Sequence, residues 1–294
     1  PYIFLFLPIT ILVYFLLKKG LVSGGALALI AASIVFYGWH HPAYVALLGG
    51  SICFNFIVAL SITNLESKEK GPLRLALVVF GIAGNVLVLG YFKYADFFIM
   101  NLNALAGLKI PLLHILLPAG VSFFTLNQIG YLVDTWKGRI TEHNLLSYAQ
   151  FVSFFPSILA GPILRYDEVA PQLARSENTF NYRNACEGIL LFFVGLFKKT
   201  VIADSLAVWA NNGFDAAVTL TFAEAWITSL SYTLELYFDF SGYTDMALGS
   251  ALFFNVRLPF NFDSPYRSLN IQEFWRKWHM TLGRFMRDYV YIPL

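Results

Sequence analysis

Charged residues are scarce in this chain. Lys, Arg, Asp and Glu make up 13% of its 294 residues, and 57% of the residues are hydrophobic. Soluble globular proteins carry roughly 25% charged residues, so this composition excludes an ordinary soluble domain. The mean hydropathy of +0.62 agrees with a protein whose main solvent is lipid. The 29 Phe, 16 Tyr and 6 Trp residues are typical of wide lipid contact with aromatic anchors at the membrane interfaces.

Cysteine is rare, and several familiar catalytic motifs are missing. The two cysteines, Cys53 and Cys186, lie far apart in apolar surroundings, and we expect both to be small buried hydrophobic residues. No histidine pair has metal-ligand spacing, so no metal site is predicted. The chain has no Gly-x-Ser-x-Gly elbow, Walker loop or Gly-x-Gly-x-x-Gly turn, which leaves little support for soluble hydrolase or nucleotide chemistry. A net charge of +2 favours no particular anionic partner, and no nucleic-acid binding is predicted.

Long apolar runs predict membrane-spanning helices. Crossing roughly 30 Å of hydrocarbon takes about 20 residues. Five runs approach that length: Tyr2–Leu17, Leu21–Trp39, Ala43–Thr63, Leu75–Tyr91 and Leu112–Val133. Basic residues follow the first, third and fifth runs, namely Lys18, Lys19, Lys68, Lys70, Arg74, Lys137 and Arg139. The positive-inside rule therefore predicts an N-terminus outside the cell and a cytoplasmic Lys137 loop.

Beyond the fifth run the pattern is less regular. The apolar segment Phe151–Leu164 contains Pro156 and Gly161-Pro162 and has basic loops on both sides, which predicts that it enters the membrane and returns. Irregular backbone at that depth must be buried in protein or line a water-filled cavity. An internal cavity and simple packing of the loop against protein are equally good interpretations. Further broken or buried helices are predicted at Ala185–Phe197 with Thr200–Ala210, at Phe222–Phe238 and at Met246–Phe254.

Three carboxylates, Glu235, Asp239 and Asp245, lie in an apolar neighbourhood. An ionised side chain in the middle of a membrane costs roughly 2.5–3.5 kcal/mol on insertion scales, so the three require partners or a wet cavity. Glu235 and Asp239 share one helix face because they are four residues apart. The carboxylates either have a structural role, in which they brace the backbone or pair with Arg257 and Arg267, or they line a polar cavity.

The last part of the chain predicts a capped helix. Arg257–Arg267 is irregular in pattern, and Asn270 is the expected N-cap, with Glu273 reaching back to it. An amphipathic helix then runs over Phe274–Tyr291.

His279 is the unexpected residue in that helix. A helical projection places it at the edge of the apolar face, beside Trp275 and Met286 and away from the cations. A histidine on the buried face of a membrane protein is a functional candidate, because neutral imidazole can accept a proton from a hydroxyl near physiological pH.

Several strings of residues resemble those of the membrane-bound O-acyltransferase family. They are Tyr237–Ala247 (Tyr-Phe-Asp-Phe-Ser-Gly-Tyr-Thr-Asp-Met-Ala), Asn261–Tyr266, Glu273–Leu282 and Arg287–Leu294, with Leu117–Thr125 and Phe155–Arg165 upstream. The Tyr-Ile-Pro-Leu ending favours the alginate O-acetylation branch, with the teichoic-acid D-alanylation branch as its neighbour. The resemblance implies an all-α, polytopic ring of tilted membrane helices with re-entrant segments, in which residues 1–294 form a single membrane-embedded acyltransferase domain.

The resemblance also implies a reaction. An acetyl or other small acyl group would pass from a cytoplasmic thioester donor, such as acetyl-CoA or an acyl carrier, to hydroxyls of an exported, alginate-like cell-surface polysaccharide. The implied setting is the bacterial inner membrane, crossed several times. The implied partners are the lipid bilayer, the donor, the polymer and periplasmic acetylation proteins, and no bound cofactor is implied.

In that family two histidines act. His279 matches the first, and the second lies some tens of residues beyond Leu294, so we expect this chain to be an incomplete enzyme. The resemblance gives His279 a role in assisting the base or positioning the acceptor hydroxyl. Supporting or channel-lining roles are predicted for Glu235, Asp239, Asp245, Asn261, Asp263, Trp275, Trp278 and Arg287. Two alternatives stay open: a transporter or channel that uses the buried carboxylates and His279, and a non-catalytic scaffold.

Overall fold

A computed structural model describes residues 2–20, 23–39, 41–65, 71–175, 179–216 and 219–293. Within those ranges the chain is helical and contains no β-strand, which confirms the predicted all-α class. Four residues used in the predictions above, Leu21, Lys68, Lys70 and Leu294, lie outside the described residues.

The first half of the chain contains eight helices, counted over the described ranges. They are α1 (Leu7–Gly20, preceded by a π-helical turn at Tyr2–Phe6), α2 (Gly24–Gly38), α3 (Ala43–Thr63), α4 (Gly71–Ala106), α5 (Val121–Trp136), α6 (Leu145–Ser153), α7 (Phe155–Ile158) and α8 (Tyr166–Arg175).

The second half continues with α9 (Tyr182–Phe197), a π-helical turn (Lys198–Ala203), α10 (Asp204–Asn211), a second π-helical turn (Asn212–Ala216), α11 (Phe222–Leu252), a 3-10 turn (Pro265–Arg267), α12 (Ile271–Lys277), α13 (Met280–Phe285) and a last π-helical turn (Met286–Tyr291).

Three helical stretches in the described part of the chain are long and apolar enough to cross a membrane: Tyr2–Gly20, Ala43–Thr63 and Gly71–Ala106. They correspond to the first, third and fourth predicted spans. The second predicted span is represented by α2, which has 15 residues and is too short to count among them.

The fifth predicted span is wrong in its first half. Residues 112–120 are not helical, and α5 begins only at Val121. Gly120 fixes the start of α5, because it has a left-handed backbone (φ +67°) and lies so close to the Ile158 carbonyl that a Cβ would not fit. Glycine adopts this conformation without steric cost, so the chain turns here instead of continuing as a helix.

The chain divides into two compact units. The C-terminal unit comprises Pro1–Phe15, Ala160–Pro162 and Arg175–Leu294, and the N-terminal unit comprises Leu16–Leu159 and Ile163–Ala174. The interpretation of residues 1–294 as one domain stays a prediction.

In the N-terminal unit, three buried amide side chains join α3, α4 and α5. Asn85 Nδ2 donates to Asn55 Oδ1 at 2.6 Å, and Asn55 Nδ2 donates to Gln128 Oε1. All three residues are at most 3% exposed. Polar side chains that bond across helices in this way stabilise helix association in membranes, where apolar burial supplies little driving force.

The predicted re-entrant segment begins in the same unit. Helices α6 and α7 have nine and four residues, too short to cross a membrane. Every residue from Phe151 to Ile158 is buried. This agrees with the expectation that short, irregular backbone is covered by protein. The internal cavity that we associated with this segment stays a prediction.

In the C-terminal unit, α9 and α11 cross at two pairs of glycines. A Cβ on Gly249 would lie 2.6 Å from the Gly188 carbonyl oxygen, and a Cβ on Gly195 would lie 2.5 Å from that of Gly242. Only glycine allows two helix backbones to approach this closely. The contact spans two helical turns and holds α11 against α9. The predicted helices Phe222–Phe238 and Met246–Phe254 are one helix, because α11 runs without a break over Phe222–Leu252.

Two local predictions are wrong. Cys53 and Cys186 are exposed free thiols instead of buried residues, because α3 and α9 turn these positions outward. The helix predicted over Phe274–Tyr291 is interrupted at Trp278 and His279, where His279 adopts a left-handed backbone (φ +43°).

Candidate active site

His279 lies at the break between α12 and α13 in the C-terminal unit. Residues that are distant in sequence stabilise the break. The Met280 N–H donates to the Asn261 carbonyl at 2.9 Å, and the Asp263 N–H donates to the Lys277 carbonyl at 3.1 Å. Two backbone hydrogen bonds therefore connect the segment after α11 to both sides of the break. His279 occupies the left-handed conformation that a non-glycine residue adopts only when its surroundings require it.

The imidazole faces α11 and its following segment. The Phe240 ring meets it edge-on with centroids 4.8 Å apart, and the Phe262 ring stacks at 6.4 Å. The prediction that His279 lies beside Trp275 and Met286 on one helix face is wrong, because the helix does not continue through His279. It is half-buried in an aromatic environment.

Asn261 fixes the orientation of the imidazole. Its side chain is 2% exposed, and its Oδ1 accepts from Thr281 Oγ1 at 2.7 Å, from the Thr281 N–H at 3.3 Å and from His279 Nδ1 at 3.0 Å. A backbone N–H can only donate, so the Asn261 oxygen, and not its nitrogen, faces Thr281. His279 Nδ1 must therefore carry the proton, which leaves Nε2 with a free lone pair.

The protonation state follows from burial. His279 lies outside the three candidate membrane spans. Burial lowers the pKa of its imidazole from the usual 6.5 to about 4, since the charged form is disfavoured away from water. At neutral pH the ring is uncharged and Nε2 is a hydrogen-bond acceptor. Full protonation at pH 7 would cost roughly 4 kcal/mol, so the ring suits the positioning of a hydroxyl better than complete removal of its proton.

An aromatic cluster connects the site to α11. The Trp278 ring stacks on Phe274 at 5.5 Å and meets Phe262 edge-on at 5.2 Å. Tyr237 packs against Phe262 at 5.7 Å, and the Tyr266 hydroxyl donates to the Thr233 carbonyl at 2.8 Å. Trp278 therefore lies at the centre of this cluster. Such aromatic pairs contribute about 0.5–1.5 kcal/mol each beyond their burial.

Two of the three carboxylates of α11 form ion pairs with lysines. Asp239 pairs with Lys199 at 2.6 Å, and Asp245 pairs with Lys198 at 2.6 Å. The predicted pairing with Arg257 and Arg267 is wrong, because Arg257 binds Glu187 at 2.7 Å. The partners come from the π-helical turn that follows α9. An adjacent lysine pair after an apolar run was the sequence signal for them.

The remaining predicted site residues differ in burial and in their partners. The Oε2 atom of Glu235 is buried without a hydrogen-bond partner. Trp275 is 62% exposed, and Arg287 Nε binds Asp288 Oδ1 at 2.7 Å on an exposed face. Asp263 is exposed and contributes its backbone N–H to the break. Within the described residues, no group of three or more His, Cys, Asp or Glu side chains is arranged to hold a metal ion.

Sequence reasoning missed three contributors to the site. Thr281 fixes the orientation of the Asn261 amide, and Phe240 and Phe262 form the walls around the imidazole. Thr281 lies two residues after His279, and its small polar side chain in an apolar stretch was the available signal. The two phenylalanines gave none, since the chain contains 29 of them.

The model of the membrane-bound O-acyltransferase family, MBOAT, matches residues 137–294, which include the whole site described above. The chain belongs to the membrane-bound O-acyltransferase family. It is therefore a membrane protein, in agreement with its apolar helices.

Individual members of the family match more of the chain. The chain is 46% identical to a protein named "Peptidoglycan O-acetyltransferase" from Helicobacter pylori, over 100% of its own length and 60% of that protein. It is 39% identical to "Probable alginate O-acetylase AlgI" from Pseudomonas aeruginosa, over 100% of its own length and 56% of that protein. A "Teichoic acid D-alanyltransferase" from Bacillus subtilis is 30% identical over 59% of the chain. The chain thus spans 60% or less of these acyltransferases.

Proposed function

We propose that the full-length protein transfers an acetyl group from a thioester donor on the cytoplasmic side of the membrane to hydroxyl groups of a cell-envelope polysaccharide. The family and the names of the relatives support acyl transfer to an envelope polymer. A bacterial inner membrane, crossed several times, is the setting that joins a cytoplasmic donor to an exported acceptor. The donor would be acetyl-CoA or an acyl carrier.

The observation that carries the proposal is the orientation of His279 by Asn261. His279 Nδ1 is hydrogen-bonded to Asn261 Oδ1 at 3.0 Å, so Nε2 can accept a hydrogen bond from a hydroxyl group of the polysaccharide. This hydrogen bond would orient the hydroxyl oxygen toward the acyl carbon. This is a positioning role with partial proton acceptance, and it agrees with the low pKa of His279. A second basic group of the full-length protein would complete proton removal.

Two polymers are candidates for the acetyl acceptor: peptidoglycan and an alginate-like polysaccharide. The identity to the peptidoglycan O-acetyltransferase is 46% and that to the alginate O-acetylase is 39%, in both cases across the whole chain. We favour peptidoglycan on this difference, and an alginate-like polymer is the alternative. D-Alanyl transfer to teichoic acid is a second candidate function, supported by the match to the Bacillus subtilis protein over 59% of the chain.

The test uses the full-length protein in proteoliposomes with labelled acetyl-CoA and, in parallel, peptidoglycan fragments or alginate oligomers. We expect acetyl-ester formation on one polymer and a loss of roughly 100-fold in His279→Ala, the lower end of general acid–base effects. The matched control His41→Ala removes an exposed imidazole and should keep the activity. Equal activity of His279→Ala and wild type would remove His279 from the mechanism. Turnover of a D-alanyl thioester alone would select the second candidate.

A further inference from the structure

Two ion pairs connect α11 to the π-helical turn that follows α9. Lys199 Nζ lies 2.6 Å from Asp239 Oδ1, and Lys198 Nζ lies 2.6 Å from Asp245 Oδ2. The two aspartates are separated by about 9 Å along the helix axis. Between them, a Cβ on Gly242 would lie 3.1 Å from the Lys199 backbone nitrogen, so the two backbones are also in close contact here. This segment of α11 is therefore held at three points.

The three points lie on the side of α11 that faces away from the imidazole. At about 100° per residue, Asp239, Gly242 and Asp245 are centred roughly 200° around the helix axis from Phe240. Phe240 lies on the opposite side and meets the His279 ring edge-on, with ring centroids 4.8 Å apart. The same stretch of helix thus carries ion pairs on one side and a wall of the candidate active site on the other.

The contacts on the far side resist rotation of α11 about its own axis. A side chain extends about 6 Å from the axis, so a rotation of about 10° would move the Phe240 ring by about 1 Å. A displacement of about 1 Å in an active site can reduce a rate by about 100-fold. The Phe240 ring also covers the imidazole, and burial is the cause of the low pKa of His279. Loss of the ion pairs should therefore change both the position of the wall and the access of water to the imidazole.

We propose that the two lysine–aspartate pairs are positioning residues, which fix the rotation of α11 and so hold the Phe240 ring against His279. The pairs act through Phe240 and take no direct part in the chemistry. The importance of this alignment for acyl transfer rests on the proposed function. The alignment itself depends only on contacts within the C-terminal unit.

The pKa of His279 distinguishes lost alignment from lost charge, because the two effects have opposite signs. Asp239→Asn breaks the ion pair between Lys199 and α11 with little change of side-chain shape. Loss of a negative charge, by itself, can only lower the pKa of an imidazole, since it removes an attraction to the charged ring. Access of water to the ring raises the pKa from about 4 toward 6.5. A rise of the pKa in Asp239→Asn therefore reports lost cover.

The experiment follows the ¹⁵N signals of His279 in the full-length protein between about pH 8 and pH 3. We expect Asp239→Asn to raise the pKa of His279 by at least about one unit. Asp204→Asn is the matched control, because Asp204 binds the same Lys199 ammonium group at 2.7 Å but belongs to α10. It removes an identical charge and should not raise the pKa. Asp245→Asn breaks the second pair and should raise the pKa as Asp239→Asn does.

Acetyl transfer in proteoliposomes at pH 8 gives a second readout, since His279 is neutral there in every variant. The kcat of Asp239→Asn should fall at least about tenfold, because the wall of the site has moved. The KM for the acetyl donor should stay within about twofold of wild type, because the pairs do not bind the donor. Asp204→Asn should keep the wild-type kcat. Thermal unfolding in detergent shows which variants are folded.

Other outcomes overturn the proposal. A folded Asp239→Asn protein with an unchanged or lowered pKa of His279 would show that the ion pair does not maintain the cover of the ring. An equal rise in Asp204→Asn would show a general loosening of the structure. Failure of both Asp239→Asn and Asp245→Asn to fold would show that the pairs support the whole fold instead of the alignment. A wild type that forms no acetyl ester would contradict the proposed function, whereas the titration of His279 would still test the alignment.

Discussion

Replacement of Asn261 by aspartate separates the orientation of His279 from its protonation. Asn261→Asp keeps an oxygen acceptor at the position that now receives His279 Nδ1 at 3.0 Å and Thr281 Oγ1 at 2.7 Å. It also removes the buried Nδ2 group of Asn261, which has no hydrogen-bond partner. The geometry of the break should therefore survive, and the change adds one negative charge beside the ring.

That charge should raise the pKa of His279. Two unit charges about 4 Å apart interact by about 4 kcal/mol at an effective dielectric constant of about 20. The corresponding rise is about one to three pKa units, from the present value of about 4 toward the range of about 5 to 7. Only the neutral ring can accept a hydrogen bond from a hydroxyl group at Nε2. The acid limb of the activity profile should therefore move to higher pH by the same amount as the pKa of His279.

The assay is acetyl transfer by full-length protein in proteoliposomes between about pH 3 and 9, a range that contains the acid limb of the wild type. Asn261→Asp should approach wild-type activity at the alkaline end and lose it one to three units earlier on acidification. Asn211→Asp adds the same charge at an exposed helical position and should leave the profile unchanged. An active Asn261→Asp protein with an unmoved acid limb would refute the assignment of His279 as a neutral acceptor.

Two further predictions concern stability. Gly249→Ala places a Cβ 2.6 Å from the Gly188 carbonyl oxygen and should lower the free energy of unfolding by about 1–3 kcal/mol. The control Gly90→Ala has open space around the new Cβ and should leave the stability unchanged. Thermal unfolding in detergent measures both variants, and equal stability would contradict the close helix contact. Because His279 has a pKa of about 4 when folded and about 6.5 when unfolded, the unfolded chain binds more protons between these values. The contribution of His279 to the free energy of unfolding is therefore complete above pH 6.5 and is lost as the pH falls through about 4. Its upper bound is about 3 kcal/mol, and solvent screening reduces this value. His279→Gln should have a shallower loss of melting temperature between pH 6.5 and 4, and an unchanged slope would contradict the burial of the ring.

Local signals in the sequence predicted local structure well. The apolar run Ala43–Thr63 is α3 with the same bounds. Asn270 caps α12, since its side chain accepts from the Glu273 N–H at 2.8 Å. The Glu273 carboxylate reaches back as expected, but it accepts from the Leu269 N–H instead of that of Asn270. Caps and apolar runs act over a few residues, so a sequence pattern contains the information they need.

Features that depend on distant residues were not predictable in this way. The break at His279 requires the backbone of Asn261, 18 residues earlier, and no periodicity records that contact. A helical projection of the last segment therefore placed the imidazole against the wrong neighbours. The partners of Asp239 and Asp245 depend on the glycine contact between α9 and α11, which brings Lys198 and Lys199 to α11. The identity of His279 as the candidate residue came from its type and its apolar context, and its orientation came only from the structure.

The proton position on His279 is the most direct test of the account. Full-length protein containing ¹⁵N-labelled histidine, with the His279 signals assigned by comparison with His279→Gln, reports which ring nitrogen is protonated. At pH 7 we expect a proton on Nδ1, bonded to Asn261, and none on Nε2. A doubly protonated ring, or a proton on Nε2 alone, would contradict the claim that this site presents a free lone pair to an acceptor hydroxyl.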